Sequence, residues 1–261
     1  MTTTIDNLLE ALPPITLEQM NSVKLMNRTD TKFVTNTDRL CLLLEMVRND
    51  YFVQDIDGQR NLEYDTTYFD TKLFDMYTMH QYGHANRQKI RFRTYCASGL
   101  QFMEVKTKNN HGRTKKKRME VGDMDLSDGQ KRQFIGKHLR YDVDTLMPTL
   151  NNHFSRITLV NRGKTERLTI DSSLCFHNVQ SDRRIDTGAL VIIELKRDGL
   201  VFSPVLDMLR HLRIQPHGFS KYCMGSALTG QDHLPVNRFK RKLIEVEKLV
   251  GFELYNNKYK Y

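Results

Sequence analysis

Cysteine is scarce in this chain, and what there is lies scattered. Its four copies, Cys41, Cys96, Cys175 and Cys223, include no C-x-x-C pair. That spacing excludes a ribbon-type zinc site and a disulfide framework, and it fits a reducing compartment. Long apolar runs are missing too: none approaches the roughly 20 residues that a membrane span needs. The opening stretch MTTTIDNLLEALPPI lacks a basic region followed by an apolar core, so a signal peptide is not expected. No linker rich in Pro, Gly or Ser interrupts the chain, and no long-period repeat or low-complexity tract is present. Together these absences lead to the expectation of one folded, soluble, cytoplasmic domain.

What is present is positive charge. The 261 residues carry 40 Lys and Arg against 31 Asp and Glu, a formal net charge of +9. Such a balance implies an anionic partner, whether nucleic acid, a phosphate-rich small molecule or a membrane surface. The stretch KIRFRTY (89–95) concentrates the question. Lys89, Arg91 and Arg93 alternate with Ile90, Phe92 and Thr94, as in a half-buried strand whose wet face is a row of cations. On one strand alone, a solvated sheet surface is the plainer reading.

Secondary-structure signals run along the whole chain. TLEQMNSVKLMNR reads as a helix opening at Thr16, and TDTKFVT (29–35) as a strand. Thr37 and Asp38 offer caps for a helix through LCLLLEMVRND. Residues 51–69 read as extended, with a turn at Asp57-Gly58, and TKLFDMYTMHQYG as a helix ending at Gly83. NRQKIRFRTY, LQFMEVKTK and GRTKKKRMEV follow with short polar joints, the pattern of an antiparallel meander. SDGQKRQFIGKHLR is a helix with Ser127 as its cap. FSRITLV, ERLTIDSSL, CFHNV and ALVIIELKR are further strands, SPVLDMLRHL is a helix with Pro204 in its first turn, and the C-terminal part is mostly helical. An α+β fold is expected, an antiparallel sheet or barrel of about eight strands with peripheral helices.

Applying the period of two to every strand repeats the KIRFRTY pattern. Glu104, Lys106 and Lys108 share one face of MEVKTK; Lys116, Arg118 and Glu120 share one face of the next strand. Asp30 and Lys32, Arg167 and Asp171, and Glu194 and Lys196 do the same on theirs. A barrel with its apolar faces outward would enclose these cations. Their repulsion in a poorly solvated interior is costly unless an anion fills the space. Phosphate suits the residue types, since Arg forks hold its oxygens in pairs and Lys supplies point charges. Phe92 and Phe102 are assigned to the parity opposite the charges, which argues for phosphate without a stacked base and against nucleic acid. His80 and His84 have metal-ligand spacing but lack the Glu of H-E-x-x-H, and are read as exposed helix residues. RTKKKR is read as a strand with Lys115 and Lys117 outward, and NRFKRK as a solvated helix face, with an anionic membrane or partner as the alternative.

TDTKFV, YFDT, KIRFRTY, FMEVKTK, GRTKKKR, ERLTID, VIIELK and FSKYCMG, in that order, resemble the VTC-domain family. That family is the polyphosphate polymerase branch of the CYTH-like triphosphate tunnel metalloenzymes. The resemblance implies a closed eight-stranded antiparallel tunnel barrel over residues 28–230, after an N-terminal helical segment (1–27) and before a C-terminal helix (231–261) packed on it. It implies transfer of the γ-phosphate of ATP onto polyphosphate, helped by Mn2+ or Mg2+. The cations carried over are Lys32, Arg91, Arg93, Lys106, Lys116, Arg156, Arg167 and Lys221, with Lys89 at the tunnel mouth. Ser220 and Tyr222 are expected to hydrogen-bond phosphate, and Arg118 and Lys196 follow by parity. Glu194 is the expected metal carboxylate, and Glu104, on the face of Lys106, the second. Asp171 is either a further metal ligand or the partner neutralising Arg167. Hydrolytic relatives open with E-x-E-x-K where this chain reads TDTK, which favours transfer over hydrolysis. The alternatives are a tripolyphosphatase or nucleoside triphosphatase of the same fold, and a non-catalytic polyphosphate- or nucleic-acid-binding module. A membrane protein partner at the inner face of the membrane is a further expectation, since the membrane helices of larger VTC proteins have no counterpart in these residues.

Overall fold

The computed structural model describes residues 2–20, 28–110, 113–199, 201–230, 234–251 and 253–254. In chain order the elements are α1 (Thr2–Glu10), β1 (Pro14–Ile15), α2 (Leu17–Met20), β2 (Arg28–Asn36), α3 (Thr37–Val47), β3 (Tyr51–Gln54) and β4 (Leu62–Thr71). Then come α4 (Asp75–Gln81), β5 (Arg87–Tyr95), β6 (Gln101–Lys108), β7 (Thr114–Val121), α5 (Gly129–His138), β8 (Leu146–Asn161) and β9 (Glu166–Asn178). The chain continues with β10 (Arg184–Asp186), β11 (Leu190–Asp198), α6 (Pro204–His211), α7 (Lys221–Leu228) and α8 (Asn237–Val250). The class is α+β with antiparallel main strands, as the sequence pattern predicts. Two compact units are distinguished, and β8 and β9 contribute to both.

The first unit comprises Met1–Leu62, Phe154–Leu174 and Thr187–Phe219. Its strands run in the order β2-β11-β9-β8, with β3 antiparallel on β8 and β1 parallel on β3. Regular alternation puts Phe33, Leu168, Ile170, Ile193 and Leu195 on one face. There they pack with Leu40, Leu43, Leu44 and Val47 of α3, Val205 and Leu209 of α6, and Leu9 of α1. The cap of α3 is Asn36, whose Oδ1 accepts from Arg39 N at 3.1 Å. It displaces the expected Thr37 and Asp38 because the helix starts one residue earlier. Asp57 and Gly58 both have positive φ, 51° and 80°, closing a tight turn whose flanks bridge at Ile56 and Gln59. Of the helix expected from Thr16, α2 is described, and Thr16 and Gln19 cap it reciprocally at 3.0 and 3.3 Å. Residues 21–27 lie outside the described residues.

The second unit comprises Glu63–His153, Cys175–Asp186 and Ser220–Tyr261. β4, β5, β6 and β7 form an antiparallel meander, residues 146–153 of β8 lie beside β4, and β10 pairs with β9. Phe69, Ile90, Phe92, Met103 and Val105 pack against Met76 of α4 and Ile135 of α5. Asp128, not Ser127, caps α5, accepting from Lys131 N at 2.9 Å. α4 begins at Asp75, later than the sequence suggests, because Phe74 takes a left-handed conformation (φ 56°). CFHNV is no separate strand: β9 runs unbroken through Cys175–Asn178, and β8 begins eight residues before FSRITLV. α7 is buried nearly throughout, and a Cβ on Gly225 would come within 2.4 Å of Phe176 and 2.7 Å of Leu150. α8 buries Phe239, Leu243 and Val246.

Candidate functional site

In the first unit, the face opposite the core carries the expected polar residues in register. Lys32 stands opposite Glu194, and Glu194 opposite Thr169; one row along, Asp30, Lys196 and Arg167 align. Lys32 Nζ lies 3.6 Å from Glu194 Oε1 and donates to Phe219 O at 3.3 Å. Lys196 Nζ donates to Glu194 Oε2 at 2.5 Å and to Thr169 Oγ1 at 3.1 Å. Lys196 is only 8 % exposed. Burial, with Arg156 and Arg167 adding to it against the pull of Glu194, pushes its ammonium down to about 8. Asp171 is buried and takes both Arg156 Nε (2.6 Å) and Nη2 (2.8 Å). Arg156 thus neutralises it, and both carboxylate oxygens are engaged.

In the second unit, pairing sets Lys89, Lys106 and Lys116 in one row and Tyr68, Arg91, Glu104 and Arg118 in the next. Lys116 thus shares the face of Glu104, which fixes the register that the sequence leaves open between Lys115 and Lys116. Glu104 is 1 % exposed. Its Oε2 accepts from Arg91 Nε at 2.7 Å and Nη2 at 2.6 Å, and its Oε1 from Lys116 Nζ at 3.0 Å. Burial alone would raise this carboxyl, but Arg91, Arg93, Lys116 and Lys106 hold it far below the ordinary carboxylate range. It acts as an internal counter-ion, with both oxygens already on Arg91 and Lys116. Arg93 donates to Thr66 Oγ1 at 3.1 Å and lies over the Tyr64 ring at 5.6 Å.

At the start of α7, Ser220 Oγ accepts from Cys223 N (3.2 Å) and from Lys89 Nζ (2.7 Å). Lys221 follows, half-buried. Tyr222 departs from expectation. Its hydroxyl is buried and donates to Asp70 Oδ2 at 2.5 Å, so it does not turn toward a phosphate. Asp70, fully buried, also accepts from Thr71 N, Met76 N and Tyr77 N between 2.8 and 3.0 Å, capping α4 while anchoring α7. Nothing in the local sequence YFDT marks Asp70 for this role.

Two further expectations need correcting. Phe102 shares the cationic face, opposite Arg93 and under Arg118 at 4.8 Å, because residues 102, 104 and 106 have one parity on a regular strand. The face therefore holds aromatics, Tyr64, Tyr68 and Phe102; guanidinium groups lie over Tyr64 and Phe102. His84 is exposed, but His80 is half-buried, with Nδ1 3.0 Å from Cys223 Sγ. Among the described residues, no three His, Cys, Asp or Glu side chains gather as a metal cage.

A VTC-domain family profile matches residues 27–229. No curated protein matches the sequence. A Bacillus halodurans structure described as a candidate adenylate cyclase is similar at TM-score 0.51 and 12% identity, covering 75% of this chain and 96% of that one. A candidate adenylyl cyclase from Hippeastrum, described as having a dominant triphosphatase activity, reaches 0.45 at 13% identity over 81% and 99%. An S. pombe RNA triphosphatase reaches 0.29 at 8% identity over 98% and 93%. The first of these shows a shared fold.

Proposed function

The chain belongs to the VTC-domain family, and on that footing we propose that it is a polyphosphate polymerase, moving the γ-phosphate of ATP onto a polyphosphate chain. In this reading the eight main strands form a closed tunnel barrel, and the protein acts in the cytoplasm with a membrane protein partner. The observation that carries the choice of transfer over hydrolysis is the state of the carboxylates. Glu104 and Asp171 have both oxygens held by Arg or Lys. That leaves little to activate a water.

Positioning and charge neutralisation would then do most of the catalysis. Arg91, Arg93 and Lys116 would grip successive phosphates, with Lys106 and Arg118 beside them. Ser220 would donate its hydroxyl hydrogen, since its oxygen already accepts twice. In the first unit Lys32, Lys196, Arg156 and Arg167 would do the same, and in the second Lys221 would add to Arg91, Arg93 and Lys116. A divalent metal fits these residues in one way. The Glu194 side chain is 23 % exposed, and its oxygens meet the ammonium groups of Lys32 and Lys196. Mg2+ or Mn2+ is commonly held by one or two carboxylates with the rest of its shell from substrate phosphates and water. When bound there it would neutralise phosphate charge; Lys32 and Lys196 would move off Glu194 onto phosphate oxygens.

The test is product analysis. Purified protein with ATP and Mn2+ should yield long polyphosphate and ADP, and Arg91→Ala should abolish it. Glu194→Gln should lower turnover by about 100-fold and remove its metal dependence. Release of orthophosphate alone would replace this reading with a tripolyphosphatase or nucleoside triphosphatase. Binding without turnover would replace it with a non-catalytic module.

A further inference from the structure

In the second unit, Lys89 of the row already described and three further cations lie around one imidazole. His80 of α4 lies edge-on to Phe239 of α8, with ring centroids 5.7 Å apart. Its partner Cys223 Sγ is 3.8 Å from Lys89 Nζ. Arg87 precedes Lys89 by two residues and shares its parity; its Nη1 donates to His84 O at 2.7 Å, just past α4. Arg238 and Lys242 are four apart on α8 and so occupy one helix face. The Arg238 guanidinium lies against Gly83, where a Cβ would come within 2.4 Å of Nη1. Burial, then Lys89, Arg87, Arg238 and Lys242, push His80 down to about 2, so the imidazole is neutral and adds no charge of its own. Arg87 is likewise lowered by burial and by Arg238.

This gathering is unfavourable as it stands. α8 opens with Arg238, Lys240, Arg241 and Lys242, at the helix end where the backbone dipole already disfavours cations. Glu245 offsets Lys242 in part. An anion would relieve the repulsion, and Arg238 is exposed while Arg87, Lys89 and Lys242 are half-buried, so one could reach them.

We propose that Arg87, Lys89, Arg238 and Lys242 form a second phosphate subsite, continuous through Lys89 with the row on β5. It holds the distal phosphates of a chain longer than a triphosphate. The subsite rests on the phosphate-binding reading above and adds chain-length preference to it.

Calorimetric titration of the full chain with tripolyphosphate and with long-chain polyphosphate tests both layers separately. Arg238→Gln with Lys242→Gln should weaken the long chain about tenfold and leave tripolyphosphate within about twofold. The retained tripolyphosphate affinity also reports that the variant is folded, and Lys242→Gln alone should move the long-chain affinity the same way by a smaller factor. If the double variant binds both ligands as wild type does, or loses both equally, the subsite is refuted and the main reading stands. If wild type binds neither phosphate, the main reading fails and takes the subsite with it. Tighter binding of a single-stranded RNA than of polyphosphate at this cluster would also overturn the assignment.

Discussion

Replacing Glu104 by glutamine keeps the side chain's shape and removes its charge, and the structure says what should follow. Arg91 is 8 % exposed and its fork is closed by Glu104 Oε2, whereas the Lys116 side chain is 43 % exposed. Water can resolvate Lys116 but not Arg91. The loss therefore comes mainly from a buried guanidinium left without its counter-charge, which costs about 3–5 kcal/mol. For a chain of this size that corresponds to a fall in Tm of about 10 °C. The pH dependence has a definite sign. Glu104 has a folded pKa held far below its unfolded value of about 4.3. Its contribution is thus fully present above the unfolded pKa and is lost as pH falls toward the folded one. The gap between wild type and Glu104→Gln should be constant near neutrality and close in strong acid. A phosphate ligand supplies the missing negative oxygens, so tripolyphosphate should raise the Tm of the variant more than that of wild type. Differential scanning fluorimetry with and without tripolyphosphate measures all of this. An unchanged Tm would show that the ion pair carries no weight. An equal ligand shift in both proteins would show that Arg91 does not meet phosphate.

Two shorter predictions address neighbouring residues. Tyr222→Phe removes one buried hydrogen bond but leaves Asp70 its three backbone donors, so it should cost about 1–2 kcal/mol with the Kd for tripolyphosphate unchanged; a weakened Kd at unchanged stability would put the hydroxyl on the ligand instead. Lys196, with a folded value of about 8 against an unfolded one of about 10.4, binds fewer protons when folded between those limits, so its contribution to stability rises with pH there. Its hold on phosphate should fade over the same window, and Lys196→Arg should keep tripolyphosphate affinity flat through about pH 9; a wild-type affinity flat in pH would remove Lys196 from the site.

The alternation that makes a strand amphipathic was open to inspection in KIRFRTY and its neighbours, because parity needs only the spacing of residues. Register is another matter. Whether Lys115 or Lys116 meets Glu104 depends on where one strand stops against the next, and a single-residue slip reverses every side chain. The caps, Asn36 and Asp128, lie one residue from the positions the sequence suggests, because each start offers several short polar residues in a row. The anchoring of α7 was invisible for a different reason. Asp70 and Tyr222 are 152 residues apart, and no local pattern announces that a carboxylate capping one helix will also hold another. Parity alone puts Phe102 on the face of Glu104 and Lys106.

The carboxylates already seated among the cations also change what salt should do. A basic surface bathed in solution gathers dissolved ions, and an arriving polyanion gains by setting them loose, so affinity drops steeply as salt is added. Here Glu104 and Asp171 occupy that role from within the chain, tethered and impossible to release. A polyphosphate arriving at Arg91 or Arg156 must displace them locally rather than liberate ions into bulk. Its affinity should therefore respond to ionic strength as if the protein had fewer cations than its sequence counts.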